Sequence, residues 1–167
     1  MPGTIEIECE YRLPLVLIQV HEYFYMVDEY GVRLPGQYQY QPGWLLMQGV
    51  ADPPPEEGNP WPGKDIAAGL TLARMILDQP YNGQITTLLL HNYGGRSDPY
   101  SSHVELVTDR AGCRVLWGSA PGEELEENTS KQKLHILSEN YRLYGRIDAN
   151  QPRIDISVFP DRFIVVG

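Results

Sequence analysis

The chain closes on "YGRIDANQPRIDISVFPDRFIVVG", Tyr144–Gly167, and the fold turns on how this stretch is read. Gly145 is a helix stop, because a residue without a Cβ takes the left-handed conformation that ends helices. "RIDISV" then alternates, with Ile154, Ile156 and Val158 on one side, as a half-buried strand does. A "FPDR" turn over Phe159–Arg162 leads into "FIVV", Phe163–Val166, apolar and β-branched with one glycine after it. A strand at the end of a sheet leaves a row of backbone N–H and C=O groups unpaired, which is an aggregation hazard. Either "FIVV" completes the core, or it is an edge kept for another polypeptide, and the two share the same composition.

Upstream lies the most clearly marked helix. Thr129 and Gln132 have the spacing of a capping box, in which hydroxyl and amide each satisfy an orphan N–H. Leu134, Leu137, Tyr141 and Tyr144 follow at three- and four-residue steps and predict the buried face. The acidic run "EELEE", Glu123–Glu127, reads as a solvated loop that favours the helix N-terminus.

Before that, "TIEIECEY" (Thr4–Tyr11) alternates strictly, and "LVLIQV" (Leu15–Val20) is a second strand. Tyr23–Val27 and a short Val32–Leu34 flank the turn "DEYG", where Gly31 can take a positive φ. Residues 35–63 are dense in proline and glycine, with "WLLMQGV" (Trp44–Val50) as one buried strand inside a loop-rich excursion. "DIAAGLTLARMILDQ" (Asp65–Gln79) is a helix with Asp65 as predicted N-cap, Ile66, Leu70, Ala73 and Leu77 on one face, and Pro80 as stop. "QITTLLLHNY" (Gln84–Tyr93) is a strand, and "HVELVTDRAGCRVLWG" (His103–Gly118) a hairpin closing at "DRAG". Strands, helix, strand, hairpin, helix, strands: this order predicts an α+β domain, a mostly antiparallel sheet with both helices on one face.

At 167 residues the chain suits one domain, and 42% hydrophobic with 21% charged residues is globular material. A net charge of −9 argues against nucleic acid, whose phosphates need a basic face, and against docking on anionic lipid. The longest apolar run, "LPLVLIQV", is far too short to cross a bilayer. No leader is visible in "MPGTIEIECE", and strand-like sequence by residue 4 reads as a piece cut from a longer protein. Cys9 and Cys113 fall on apolar faces and read as buried free thiols; a disulfide would require an oxidising compartment.

The chemistry-bearing motifs are missing. His21, His91, His103 and His135 have no second ligand at a spacing that shares a face, and no nucleophile elbow, phosphate loop or dinucleotide fingerprint occurs. Eleven tyrosines and three tryptophans could line a sugar groove between Tyr38 and Trp61, although core positions consume most aromatics.

The succession of motifs resembles the FtsQ/DivIB bacterial cell-division family, at the passage from its POTRA domain into its β domain. The resemblance rests on Pro2-Gly3, the acidic strand Thr4–Tyr11, Arg12 with Pro14, and Val27-Asp28 with Gly31. It continues through the helix Ile66–Leu77, the strand Ile85–His91, and Gly112, Val115 and Gly118. Lys133, Leu134 and Leu137 then follow, with Ile154–Ser157 and Pro160–Arg162 at the end. It implies that residues 1–11 are the last POTRA strand running on, and 12–167 the β domain. It further implies a non-catalytic divisome scaffold without cofactor or metal, on the extracytoplasmic face of the inner membrane (periplasm). A membrane helix lying outside this sequence would anchor it, and other membrane-anchored division proteins would bind it at the septum. The expected contact is β-augmentation on the strands around Ile154–Val158 and Phe163–Val166. Phe159 and Phe163 would be anchors, Arg162 a rim charge, and Ile164, Val165 and Val166 the pairing residues. Two alternatives stand beside it: an envelope domain in secretion or outer-membrane assembly, and a glycan-binding protein or hydrolase using residues 35–63.

Overall fold

The computed structural model describes residue 6, residues 11–158 and residues 162–167. Eight strands form one open sheet: β1 (Pro14–Val20), β2 (Tyr23–Asp28), β3 (Leu46–Gln48), β4 (Ile85–Leu89), β5 (Val104–Thr108), β6 (Arg114–Gly118), β7 (Arg153–Asp155) and β8 (Ile164–Val165). Their spatial order is β2-β1-β3-β4-β5-β6-β7-β8. Helix α1 (Lys64–Leu77) joins β3 to β4, and α2 (Ser130–Tyr144) joins β6 to β7. Four of the seven pairings are antiparallel; β1 with β3, β3 with β4, and β6 with β7 are parallel. The α+β architecture expected from the sequence is present.

Both helices lie on one face for a topological reason. Strands β3, β4, β6 and β7 point the same way, and both crossovers step in the same direction along the sheet. Crossovers share one handedness, so two such steps put their helices on the same side. The sheet answers with a continuous row across every strand: Tyr25, Ile18, Met47, Leu88, Leu106, Val115, Ile154 and Val165 are successive register partners. All are buried except Val165, which is 50% exposed. Burying each such aliphatic side chain contributes about 1.5–3 kcal/mol. Helix α1 sits close: a Cβ on Gly69 would meet Met47 Cε at 2.7 Å. Ile136 and Leu137 of α2 join the same core as Ile66, Leu70 and Ile76 of α1.

Several local expectations change in the folded chain. Asp65 does not cap α1; Gly63, at φ 113°, holds that position. The Asp65 carboxylate lies inside the first turn instead, accepting from Ala51 N at 2.8 Å and pairing with Arg96 at 3.0 Å. Its Oδ2 takes the guanidinium and the Ala51 amide, while Oδ1 accepts from the first-turn N–H of Ile66 at 2.9 Å. The Thr129–Gln132 capping box forms as expected, and Gly145 ends α2 in the left-handed region at φ 68°. The buried face of α2 is Lys133, Ile136, Leu137 and Asn140, whereas Tyr141 and Tyr144 are 37% and 49% exposed. Apolar periodicity placed Leu137 in the core and Leu134 against it, but passed over Lys133 and Asn140, which are polar and internally partnered. The run "EELEE" is solvated at Glu123, Leu125 and Glu126, but Glu127 pairs with buried Lys133 at 3.3 Å, and Glu124 binds the Ser130 hydroxyl and N–H.

The proline-rich excursion is fastened down. Trp61 is buried edge-on against Tyr25, with centroids 5.7 Å apart, and donates to Asp52 O. Arg33 stacks over the Tyr25 ring at 4.8 Å and donates to Pro55 O. Val32–Leu34 forms isolated bridges (Val27 with Arg33, Val32 with Pro60) in place of a strand. Cys113 is buried and free; Cys9, with most of the Thr4–Tyr11 strand, lies outside the described residues.

Candidate partner-binding edge

The two edges of the sheet are unlike. On the β2 side, residues 33–38 run alongside: Leu34 N donates to Met26 O at 2.9 Å and Tyr38 N to Phe24 O at 2.8 Å. Phe24 and Tyr40 add a tilted ring contact at 5.9 Å. That edge is blunted by its own chain, as soluble proteins commonly arrange. On the other side β8 is the terminal strand, and among the described residues nothing pairs with its outer flank.

Strand β8 is held by few bonds. Only Ile154–Val165 and Asp155–Ile164 are in register, with Val166 N donating to Arg153 O at 3.0 Å. In an antiparallel ladder the bonded residues alternate, so with Val166 facing β7 the N–H and C=O of Val165 point outward. Ile164 and Val165 are about half exposed, at 51% and 50%. A flank with open main-chain groups and half-exposed β-branched side chains is chemically able to accept a ninth strand.

The expectation that Ile154–Val158 also forms an edge is corrected: β7 pairs with β6 on one side and β8 on the other. The chain beyond β7 is clamped rather than free. Asn128 donates through Nδ2 to Ile156 O at 3.0 Å and Val158 O at 2.6 Å, and its N–H reaches Ser157 O at 2.8 Å. Asp155 accepts from the Ser157 N–H and hydroxyl at 2.8 and 2.7 Å.

Phe163 is half-buried against the core, and with Arg162 it lines a cavity of about 250 Å3 shared with His135, Ile136, Glu139 and Asn140 of α2. Arg162 itself is exposed, Val166 half-buried. The structure thus gathers Arg162, Phe163, Ile164, Val165 and Val166 at one end of the sheet, while Phe159 lies outside the described residues. Phe163 and its neighbours divide the two readings of "FIVV": the ring serves the core, the next two residues the surface.

Behind this edge α2 is set in place by a buried ionic node. Lys133 is wholly enclosed, its ammonium 3.3 Å from Glu127 Oε2, 3.3 Å from Ser119 O and 5.3 Å from the centre of the Trp117 ring. Burial pulls the Lys133 pKa below its ordinary value, with the Glu127 charge opposing. Asp148, also fully buried, lies between Arg146 at 2.9 Å and Arg110 at 3.8 Å where the chain leaves α2 for β7. Neither node was legible in the sequence, because no spacing links Glu127 to Trp117 or Asp148 to Arg110.

Elsewhere, a cavity of about 700 Å3 at the start of β1 is lined by Tyr11, Leu13, Leu15, Val32 and Pro60, with the Arg12–Asp28 pair at 2.6 Å. Asp28 is already engaged, accepting from Tyr30 N and Val32 N at 2.9 and 2.8 Å. Among the described residues no group of three or more His, Cys, Asp or Glu is placed to hold a metal, and no helix is long and apolar enough to cross a membrane. No protein-family model, curated protein or solved structure matches the chain.

Proposed function

We propose that this domain is a non-catalytic scaffold that captures another polypeptide by β-augmentation on β8, as the resemblance to the FtsQ/DivIB cell-division family implies. In that setting the captured chains are other membrane-anchored division proteins at the extracytoplasmic face of the inner membrane. One observation carries the reading: the β2 edge is covered by residues 33–38, whereas the outer flank of β8 has no strand beside it among the described residues. A chain that covers one edge and leaves the other half-apolar edge open treats the two differently, and main-chain pairing is what an open edge offers. Phe163 anchors the strand from below, and the outward groups of Val165 form the docking line.

The test is Val165→Pro, which removes the outward N–H and leaves the inward pairing of Ile164 and Val166 in place. The variant should keep the thermal midpoint of the parent and lose co-purification with the membrane-anchored division proteins of the source cell. Undiminished capture by a folded Val165→Pro protein would end the proposal. Phe163→Glu is the poorer probe, because its ring also packs on the core.

A further inference from the structure

Four histidines without a shared motif gave no ligand pair in the sequence, yet the sheet brings two of them to one place. Strands β1, β3 and β4 are mutually parallel neighbours, so their C-terminal ends open on the same end of the sheet. Crevices beyond the carboxyl ends of parallel strands are where ligands commonly bind. Here a small polar cavity of about 230 Å3 is lined by Gln19, His21, Gln48, Gly49 and His91.

Its donors are already oriented. Gln48 Nε2 donates to Gln19 Oε1, and Gln19 Nε2 donates to His21 O at 2.8 Å. That relay fixes both amides and leaves Gln48 Oε1 as an acceptor without a hydrogen-bond donor among the described residues. Neither imidazole makes a hydrogen bond among those residues. His21 and His91 follow strands two spacings apart, roughly 10 Å between backbones, a span that two imidazoles can bridge to one ion.

Two backbone features shape the corner, the first of them at a conformational cost. His21 stands in the two-residue β1–β2 hairpin at φ 56°, where glycine is the unstrained choice. Gly49, at φ 80°, has no room for a Cβ: it would lie 2.5 Å from His91 N and 2.6 Å from His91 Cγ. The Arg96 guanidinium clamps the same corner through the carbonyls of Gly49, Leu90 and His91, its charge balanced by Asp65 at 3.0 Å.

We infer that His21 and His91, with the Gln48 side-chain oxygen, form a binding site for a divalent transition-metal ion of the zinc, copper or nickel class. Imidazole suits those ions, and neutral amide oxygen and water fill the remaining positions. With two nitrogens and no thiolate or carboxylate, the ion is exchangeable, and its affinity is of order micromolar rather than that of a structural centre. The site lies apart from β8 and does not depend on the scaffold reading.

Titration calorimetry of the whole chain with zinc chloride tests it. The parent should bind one ion, and His21→Gly and His91→Asn should each weaken binding by about tenfold or more, as loss of one ligand does. His103→Ala should bind as the parent does. His21→Gly serves as the folding control, since glycine relieves the positive φ, so its metal-free melting temperature should equal or exceed the parent's. Absence of binding by the parent at about 1 mM zinc, roughly a thousandfold above the expected constant, would overturn the inference. So would an affinity unchanged in both His21→Gly and His91→Asn.

Discussion

The Lys133 ammonium lies 3.3 Å from the Glu127 carboxylate, inside a side chain with no solvent-exposed surface. Glu127 retains 13% exposure and also accepts from Ser119 N at 3.0 Å, so the two partners are not equivalent. Removing the carboxylate strands a charge in the core, while removing the ammonium leaves a carboxylate with a second donor and some water. Glu127→Ala should therefore destabilise by about 3–5 kcal/mol, and Lys133→Met by clearly less. Urea unfolding of both variants decides it; equal losses would show that packing, not charge, dominates there.

The same node sets an alkaline response. Burial lowers the Lys133 pKa in the folded state, so near its ordinary value of 10.5 the unfolded chain holds a proton the folded one has released. Stability then rises with pH between the lowered folded value and the unfolded one. Relative to Lys133→Met, which lacks the group, the parent should gain stability as pH approaches 10.5 from below. Paired denaturant titrations read that difference directly.

Tyr93 acts in the opposite sense. Its hydroxyl donates to Glu123 at 2.6 Å, and burial, with the bond and charge of Glu123, pushes its pKa up to about 12. Below pH 10 the folded and unfolded states both keep the proton; between 10 and about 12 only the folded one does, so the contribution is lost as pH rises through that window. Absorbance titration of the phenolate should show a late-titrating tyrosine that vanishes in Tyr93→Phe and moves down in Glu123→Gln.

Gly118 closes on the ionic node from β6. At φ 89° an added Cβ would lie 2.1 Å from Glu127 Oε2 and 2.6 Å from Ser157 Cβ. Gly118→Ala meets a strained φ and displaces the carboxylate, and should cost about 2–4 kcal/mol. Combined with Glu127→Ala the losses should fall short of additive, because the clash is partly with the group already removed.

At the sheet edge, neighbouring amides should behave differently. Val166 N–H is bonded to Arg153 O at 3.0 Å, while Val165 faces outward. Hydrogen exchange should be at least about tenfold slower at Val166 than at Val165, and a bound partner should protect Val165 selectively. Equal rates at the two amides in the free domain would mean that β8 is not paired as described.

The sequence by itself determined the elements. Period-two alternation, the Thr129–Gln132 capping box, the Gly145 stop and the hairpin over Asp109–Gly112 depend on neighbours within a few residues, and such local chemistry is written linearly. The α+β class followed, since strands and helices in that order have few ways to bury one face each. Only the tertiary structure decided which groups meet. It turned α2 onto Lys133 and Asn140 instead of Tyr141 and Tyr144, moved Asp65 from a cap to a clamp, and made β7 internal while β8 became the edge. It also set His21 beside His91, residues seventy positions apart. The first two are long-range pairings of polar groups, whose energy depends on a distance and a desolvation, and the last two follow from strand order; no spacing along the chain encodes either.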